Sequence, residues 1–192
     1  YGKDKGWKQE KPHHEYNVGT TSGDWYSGEM NEQGVPVSTM RDGTPKGYAL
    51  IHFNGNKYEV DYKVAGKPAT YQINVFAPKE VFKAEKSRHS FYANVFMGSH
   101  ENEVLYSVNG SEWKKMKFAN EGDPAYESTF YKWDVSETAV KGRRPSKSMS
   151  STHLWSAKLP TNLNKGEHTI KVKATDMYGK VHYGETIFRI TE

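Results

Sequence analysis

Met40-Arg41-Asp42-Gly43-Thr44-Pro45-Lys46-Gly47-Tyr48, followed by Ala49 to Phe53, Asn54-Gly55-Asn56 and Lys57 to Val64, decides the fold of this chain. Asp-Gly, a proline two residues on and then another glycine make a dense turn signal. Tyr48 to Phe53 reads as a strand, and Asn54-Gly55-Asn56 turns it back into Lys57 to Val64. In the return strand Tyr58, Val60, Tyr62 and Val64 share one face, while Lys57, Glu59, Asp61 and Lys63 share the other. This is the cleanest alternation in the sequence. Asn-Gly between such runs is a strong hairpin signal, because the favoured two-residue turns need positive φ. The stretch therefore predicts a β-hairpin with one buried face, and Asp42, Gly43, Pro45 and Gly47 as structural turn residues.

The strand signals continue outward from it. Gly66-Lys67-Pro68 breaks the pattern, and Tyr71, Ile73 and Val75 then alternate with Gln72, Asn74 and Phe76 up to Pro78. Glu80 to Arg88 is charged and is expected to hold one helical turn. Phe91 to Met97 predicts a strand with Phe91, Ala93, Val95 and Met97 on one face. From Val104 onward the pattern resembles an immunoglobulin-like sandwich. Val104 to Val108, Asn109-Gly110 and Glu112 to Phe118 read as a hairpin across which Trp113 packs back. Asp123 to Val135 holds Tyr126, Phe130, Tyr131 and Trp133, and His153 to Pro160 reads as a strand. Asn164-Lys165-Gly166 leads into Glu167 to Thr175, with Ile170, Val172 and Ala174 facing inward. Asp176 to Gly179 makes the last turn before Lys180 to Ile190, in which Gly184 suggests a bulge. Short strands with turn signals between them predict a mainly β protein, a β-sandwich, immunoglobulin-like in its C-terminal half.

The run Gly28, Gly34-Val35-Pro36, Met40 to Tyr48, Phe53-Asn54-Gly55 and Tyr58 resembles the C-terminal domain of bacterial calcineurin-like phosphoesterases. These are multidomain metallophosphoesterases, of a type frequent in Bacteroidetes, with an N-terminal β domain, a two-metal catalytic domain and this C-terminal domain. The resemblance spans about Gly19 to the end of the chain and is most specific at Asp42 to Tyr48. It implies an exported, non-catalytic domain that packs on the catalytic domain of the same polypeptide and frames its substrate entrance. It also implies two divalent metal ions in that catalytic domain and no cofactor in this chain. Residues 1–30 would be the junction from the catalytic domain and 31–192 the C-terminal β-sandwich domain. The start at Tyr1 reads as a cut inside a longer protein.

Composition sets wider bounds. The chain has 192 residues, 35% of them hydrophobic, 26% charged and 14% aromatic. Large rings bury much area each and so compensate for a polar sequence. The net charge of +4 is spread along the chain and is no nucleic-acid footprint. No apolar run approaches a membrane span. The absence of cysteine excludes a disulfide scaffold and a thiolate metal site.

Candidate chemistry is sparse. A two-metal phosphoesterase needs clustered carboxylates, His and Asn, and the family motifs D-x-H, G-D-x-x-D, G-N-H-[DE] and G-H-x-H are all missing here. Gly55-Asn56-Lys57 lacks the histidine and lies in a turn. There is no G-x-S-x-G elbow and no glycine-rich phosphate loop opening a helix. His13 and His14 are adjacent, so on a strand they point to opposite faces; they read as surface or interface groups, or as groups reaching toward the catalytic domain. Gly19 to Gly28 is a small-residue loop carrying Asp24, Trp25 and Tyr26. Two adjacent rings do not both enter one core, which marks this loop as an interface or substrate-entrance candidate. The aromatic residues Trp25, Tyr26, Trp113, Trp133 and Trp155 read as core of an aromatic-rich sandwich or, alternatively, as the flat rings of a glycan- or surface-binding module. Arg143, Arg144 and Lys147 form a basic cluster in a serine-rich stretch, read as a solvated loop or as a contact for an anionic substrate.

Overall fold

The computed structural model describes Lys8 and residues 14–192. His13 and most of the segment before it lie outside the described residues, and His14 to Val18 forms no strand. The chain is mainly β. In order the elements are β1 (Gly28–Glu29), β2 (Gly47–Asn54), β3 (Lys57–Val64), β4 (Ile73–Phe76), β5 (Glu80–Phe82), β6 (Ser90–Val95), β7 (Val104–Val108), β8 (Lys114–Lys115), β9 (Lys117–Phe118), α1 (Pro124–Val135), β10 (Gly142–Arg143), β11 (Leu154–Lys158), β12 (Gly166–Thr175) and β13 (Val181–Thr191).

Two sheets make the sandwich. One runs β4-β6-β11-β9 and the other β5-β13-β12-β7-β8. Between them Ile73, Val75, Phe91, Ala93, Val95 and Trp155 from the first sheet meet Val104, Ile170, Val172, Ala174, Phe188 and Ile190 from the second. Each fully buried aliphatic or Phe side chain is worth about 1.5–3 kcal/mol against exposure. The alternation expected in Glu167 to Thr175 holds: Ile170, Val172 and Ala174 are buried and Lys171 and Lys173 are not.

Several local expectations yield to tertiary contacts. Glu80 to Arg88 holds no helical turn. Instead β5 runs parallel to β13, with Glu80 opposite Arg189 and Val81 opposite Ile190, because burying Val81 in the core outweighs the charged flanks. The stretch from Asp123, left unassigned by the sequence, forms helix α1 over Pro124–Val135. Asp123 caps it by accepting from the Ala125 N–H at 2.8 Å, Pro124 stands at its first turn, and Tyr126 and Phe130, four residues apart, are its buried face. Glu112 to Phe118 is split by the buried Met116, so that β8 pairs with β7 in one sheet and β9 with β11 in the other. Trp113 packs under the Lys173 ammonium, 4.4 Å from its ring centre, on the outer face of the sheet. Gly184 is no bulge. It pairs in unbroken register with Val172, and a Cβ there would come within 2.9 Å of the Ile73 Cβ, so a side chain would push the sheets apart. Strand β6 ends at Val95, and Phe96 and Met97 leave it for a second cluster.

That second cluster seats the hairpin. Strands β2 and β3 pair over their whole length around Gly55-Asn56, as a sheet of their own. Tyr62 and Val64 pack with Phe96, flanked by Met40, Tyr71 and Met97. Only the base of the hairpin is buried; Tyr58, expected on the covered face, is exposed with Phe53 near the tip. No described helix is long and apolar enough to cross a membrane.

Candidate functional site

Asp24, Trp25 and Tyr26 stand on a loop held in an uncommon backbone state. Trp25 has φ 53° and Tyr26 φ 56°, and Ser38 beside them has φ 57°. Left-handed backbone costs an L-residue with a large side chain roughly 1–2 kcal/mol, so the surroundings must impose it. The imposing contacts are specific. The Tyr26 N–H donates to the Ser22 carbonyl at 2.8 Å and the Ser38 N–H to the Ser27 carbonyl at 2.9 Å. The buried Ser38 hydroxyl donates to the Ser22 carbonyl at 2.5 Å.

Asp24 is the anchor. Its side chain is buried, with the residue 7% exposed. It accepts from the Ser146 N–H at 2.9 Å and from the Ser27 hydroxyl at 3.2 Å. Arg143 donates to the Trp25 carbonyl at 3.1 Å, and β1 pairs with β10 just beyond. The basic stretch thus clamps the loop. The two rings meanwhile point outward, Trp25 76% and Tyr26 61% exposed. Two large aromatic side chains are presented on a pinned backbone.

A cavity of about 250 Å³ adjoins the loop, between Gly28, Val37 and Ser38 on one side and Tyr126, Thr129 and Trp133 of α1 on the other. Lys132 and Glu29 join across its rim at 2.6 Å.

The remaining candidates divide. Arg144 is committed to Asp134 through two 2.7 Å hydrogen bonds, which hold the Asp134 carboxyl below its ordinary range, and its guanidinium lies over the Phe130 ring. The Lys147 carbonyl accepts from Arg41 at 2.8 Å, and its side chain is exposed. His14 goes elsewhere, stacking on Tyr58 and hydrogen bonding its hydroxyl at the hairpin.

The turn 42–47 is tied into a buried polar network that sequence reading missed. Asp42 accepts from the Thr44 N–H at 2.9 Å, and Gly43 has φ 90°. The Pro45 carbonyl accepts from the Tyr62 hydroxyl at 2.7 Å, and the Gly47 N–H donates to the Thr20 carbonyl at 3.2 Å. Asn94 donates to the Asp42 carbonyl at 2.9 Å and to the Asp123 carboxylate at 2.7 Å, while its own oxygen lies 2.8 Å from His153 Nδ1. His153 Nε2 lies 3.4 Å from Asp42 Oδ2. Burial raises the Asp42 pKa, but the hydrogen bond and charge of His153, with Thr44, outweigh it and leave the carboxyl below its usual value. Burial wins at Asp123 and holds its carboxyl above the usual value against Asn94 and the helix N–H groups. Only the Asx-turn at Asp42 was visible in the sequence; Asn94, Asp123 and His153 meet across sheets and carry no shared local signal.

A two-metal centre does not fit these residues. Among the described residues no three His, Asp or Glu side chains converge to hold a metal ion. In the network just described both His153 nitrogens already face protein partners, and Ser151 is fully buried beside it.

Comparison with known proteins adds the family. A search of curated proteins found no match. Among solved structures, a superoxide reductase (neelaredoxin) from Ignicoccus hospitalis aligns over 63% of this chain and 81% of its own, at 8% identity and a TM-score of 0.30, a likeness too slight to carry chemistry across. A family described as the C terminal of calcineurin-like phosphoesterase matches residues 15–182. That match runs from beside His14, through the clamped loop, the 42–47 turn and both sheets, to β13, and the chain belongs to this family of phosphoesterase C-terminal domains.

Proposed function

We propose that this chain is the non-catalytic C-terminal domain of an exported metallophosphoesterase. It packs on the catalytic domain of the same polypeptide through the Asp24–Tyr26 loop and helps frame the substrate entrance. The two divalent metal ions belong to that catalytic domain. The observation that carries the reading is the pair Trp25 and Tyr26, both left-handed and both turned outward. Strain of this kind persists where the surroundings over-determine it, and it concentrates at functional positions. Exposed rings on a fixed backbone lose little freedom on docking.

Glycine removes the strain and the rings together. Trp25→Gly or Tyr26→Gly is expected to leave the stability of the 192-residue chain unchanged or raised by about 1 kcal/mol. In the full-length enzyme the same changes should loosen the domain contact and lower activity. Hydrogen exchange is the direct assay: Asp24 to Gly28 should be better protected when the catalytic domain is present. Equal protection with and without it removes the docking reading. A glycan- or surface-binding module is the second reading, favoured by the same two rings; saccharide binding abolished by Trp25→Ala, without any change in domain contact, would select it.

A further inference from the structure

The two edges of the β2–β3 hairpin are treated differently. The pairing register around the two-residue turn makes 54–57, 52–59, 50–61 and 48–63 the hydrogen-bonded pairs. The Ala65 N–H to Lys46 carbonyl bond at 3.0 Å continues that series. The main-chain groups of Tyr62 on β3 and of Ala49, Ile51 and Phe53 on β2 therefore point away from the hairpin. On the β3 side they are used: the Tyr62 N–H meets the Met97 sulfur at 3.2 Å and the Tyr62 carbonyl accepts from Gln72 at 2.6 Å. On the β2 side the Gly47 N–H is used by Thr20. Beyond it, among the described residues, nothing pairs with the Ala49, Ile51 and Phe53 main chain.

This open edge lacks the devices that keep edges apart. Strand β2 contains no Lys, Arg, Asp, Glu or Pro, whereas exposed edges are ordinarily blunted by charge or proline. Ile51 is 52% and Phe53 75% exposed. An unpaired strand of this kind accepts another strand through its main chain.

We propose that this edge is a homodimer interface, in which β2 pairs antiparallel with β2 of a second copy. The register centred on Ile51 brings the two outward-pointing sets of main-chain groups together. Ile51 meets Ile51 of the partner subunit, and Ala49 meets Phe53 of the partner subunit on both sides of the two-fold axis. A small side chain then faces a large one, and no like charges face each other. Leu50 lies opposite His52 of the partner subunit on the other face. The result is a continuous sheet with β3 on each outer side, where the Tyr62 main chain is already taken by Met97 and Gln72, so assembly stops at two copies. A second copy fits this edge because the open segment is self-complementary in register, size and charge. The interface lies on the hairpin and does not depend on the docking role of Trp25 and Tyr26.

Sedimentation velocity on the 192-residue chain, from micromolar to several hundred micromolar, tests this. A reversible monomer–dimer equilibrium is expected, with slower amide exchange at Ala49, Ile51 and Phe53 at high concentration. Ile51→Lys places two ammonium groups at the two-fold axis and should weaken the dimer at least tenfold. Ile51→Pro removes an N–H that takes no part in the β2–β3 ladder and should do the same, with circular dichroism confirming the fold. A chain that stays monomeric throughout the range overturns the proposal. So does a dimer that both variants leave intact, or open-ended aggregation. Protection of the β2 edge only when the catalytic domain is present would assign the edge to that domain instead.

Discussion

Replacing Gly43 with alanine tests whether the 42–47 turn is fastened where the structure places it. Gly43 has φ 90°, a region that costs an L-residue roughly 1–2 kcal/mol. Its new Cβ would lie 2.0 Å from Asp123 Oδ2 and 2.6 Å from Asn94 Nδ2. Ordinary contact requires more than about 3 Å, so Asp123 must move by about an ångström, given normal packing distances. That movement breaks the 2.7 Å bond from Asn94 and disturbs the 2.8 Å cap on α1. A buried polar pair left unsatisfied costs about 1–3 kcal/mol, and a damaged cap about 1 kcal/mol. The combined loss is about 3–6 kcal/mol. For a chain of this size each kcal/mol moves Tm by about 2–4 °C, so Tm should fall by about 6–24 °C. Scanning calorimetry with urea melts is the assay. Gly55→Ala is the control, with φ 60° and no atom within 4 Å of the new Cβ, and should cost the backbone strain alone. A Gly43→Ala loss no larger than that of Gly55→Ala refutes the reasoning. Unchanged stability with lowered activity of the parent enzyme would make the turn functional.

Two further outcomes are expected. Burial pushes the Tyr16 and Tyr126 hydroxyls up to about 12 and raises Tyr62 further still. The fold favours their neutral forms, so their contribution is complete below the unfolded value of about 10 and is lost as pH rises from there toward about 12; tyrosinate absorbance titrating at its ordinary position in the folded chain, with stability flat to about pH 11, would contradict this. The isolated chain should neither bind zinc or manganese stoichiometrically nor hydrolyse a generic phosphate ester, since no ligand set converges among the described residues; metal-dependent turnover by the chain alone would overturn the non-catalytic reading.

The sequence by itself determined the hairpin of Tyr48 to Val64, the inward face of β12 and the sandwich class. Each is a period-2 pattern bounded by turn residues, and such patterns are local: alternate side chains on a strand face opposite ways whatever lies beyond. Tertiary structure decided what that period leaves open. Helix α1 shows no clean apolar period, so the sequence left Asp123 to Val135 unassigned, and its cap at Asp123 and the buried pair Tyr126 and Phe130 emerged only with the fold. Val81 joined a sheet through a parallel pairing with β13, a partner more than a hundred positions away. Met116 passed the chain from one sheet to the other, and Gly184 proved a point of close approach between them. The candidate site follows the same division. The sequence marked Trp25 and Tyr26 as two rings too many for one core. That both would turn outward on left-handed backbone was settled by Ser38, Arg143 and Ser146, because no residue preference selects that conformation for Trp or Tyr and only contacts across the fold can hold it.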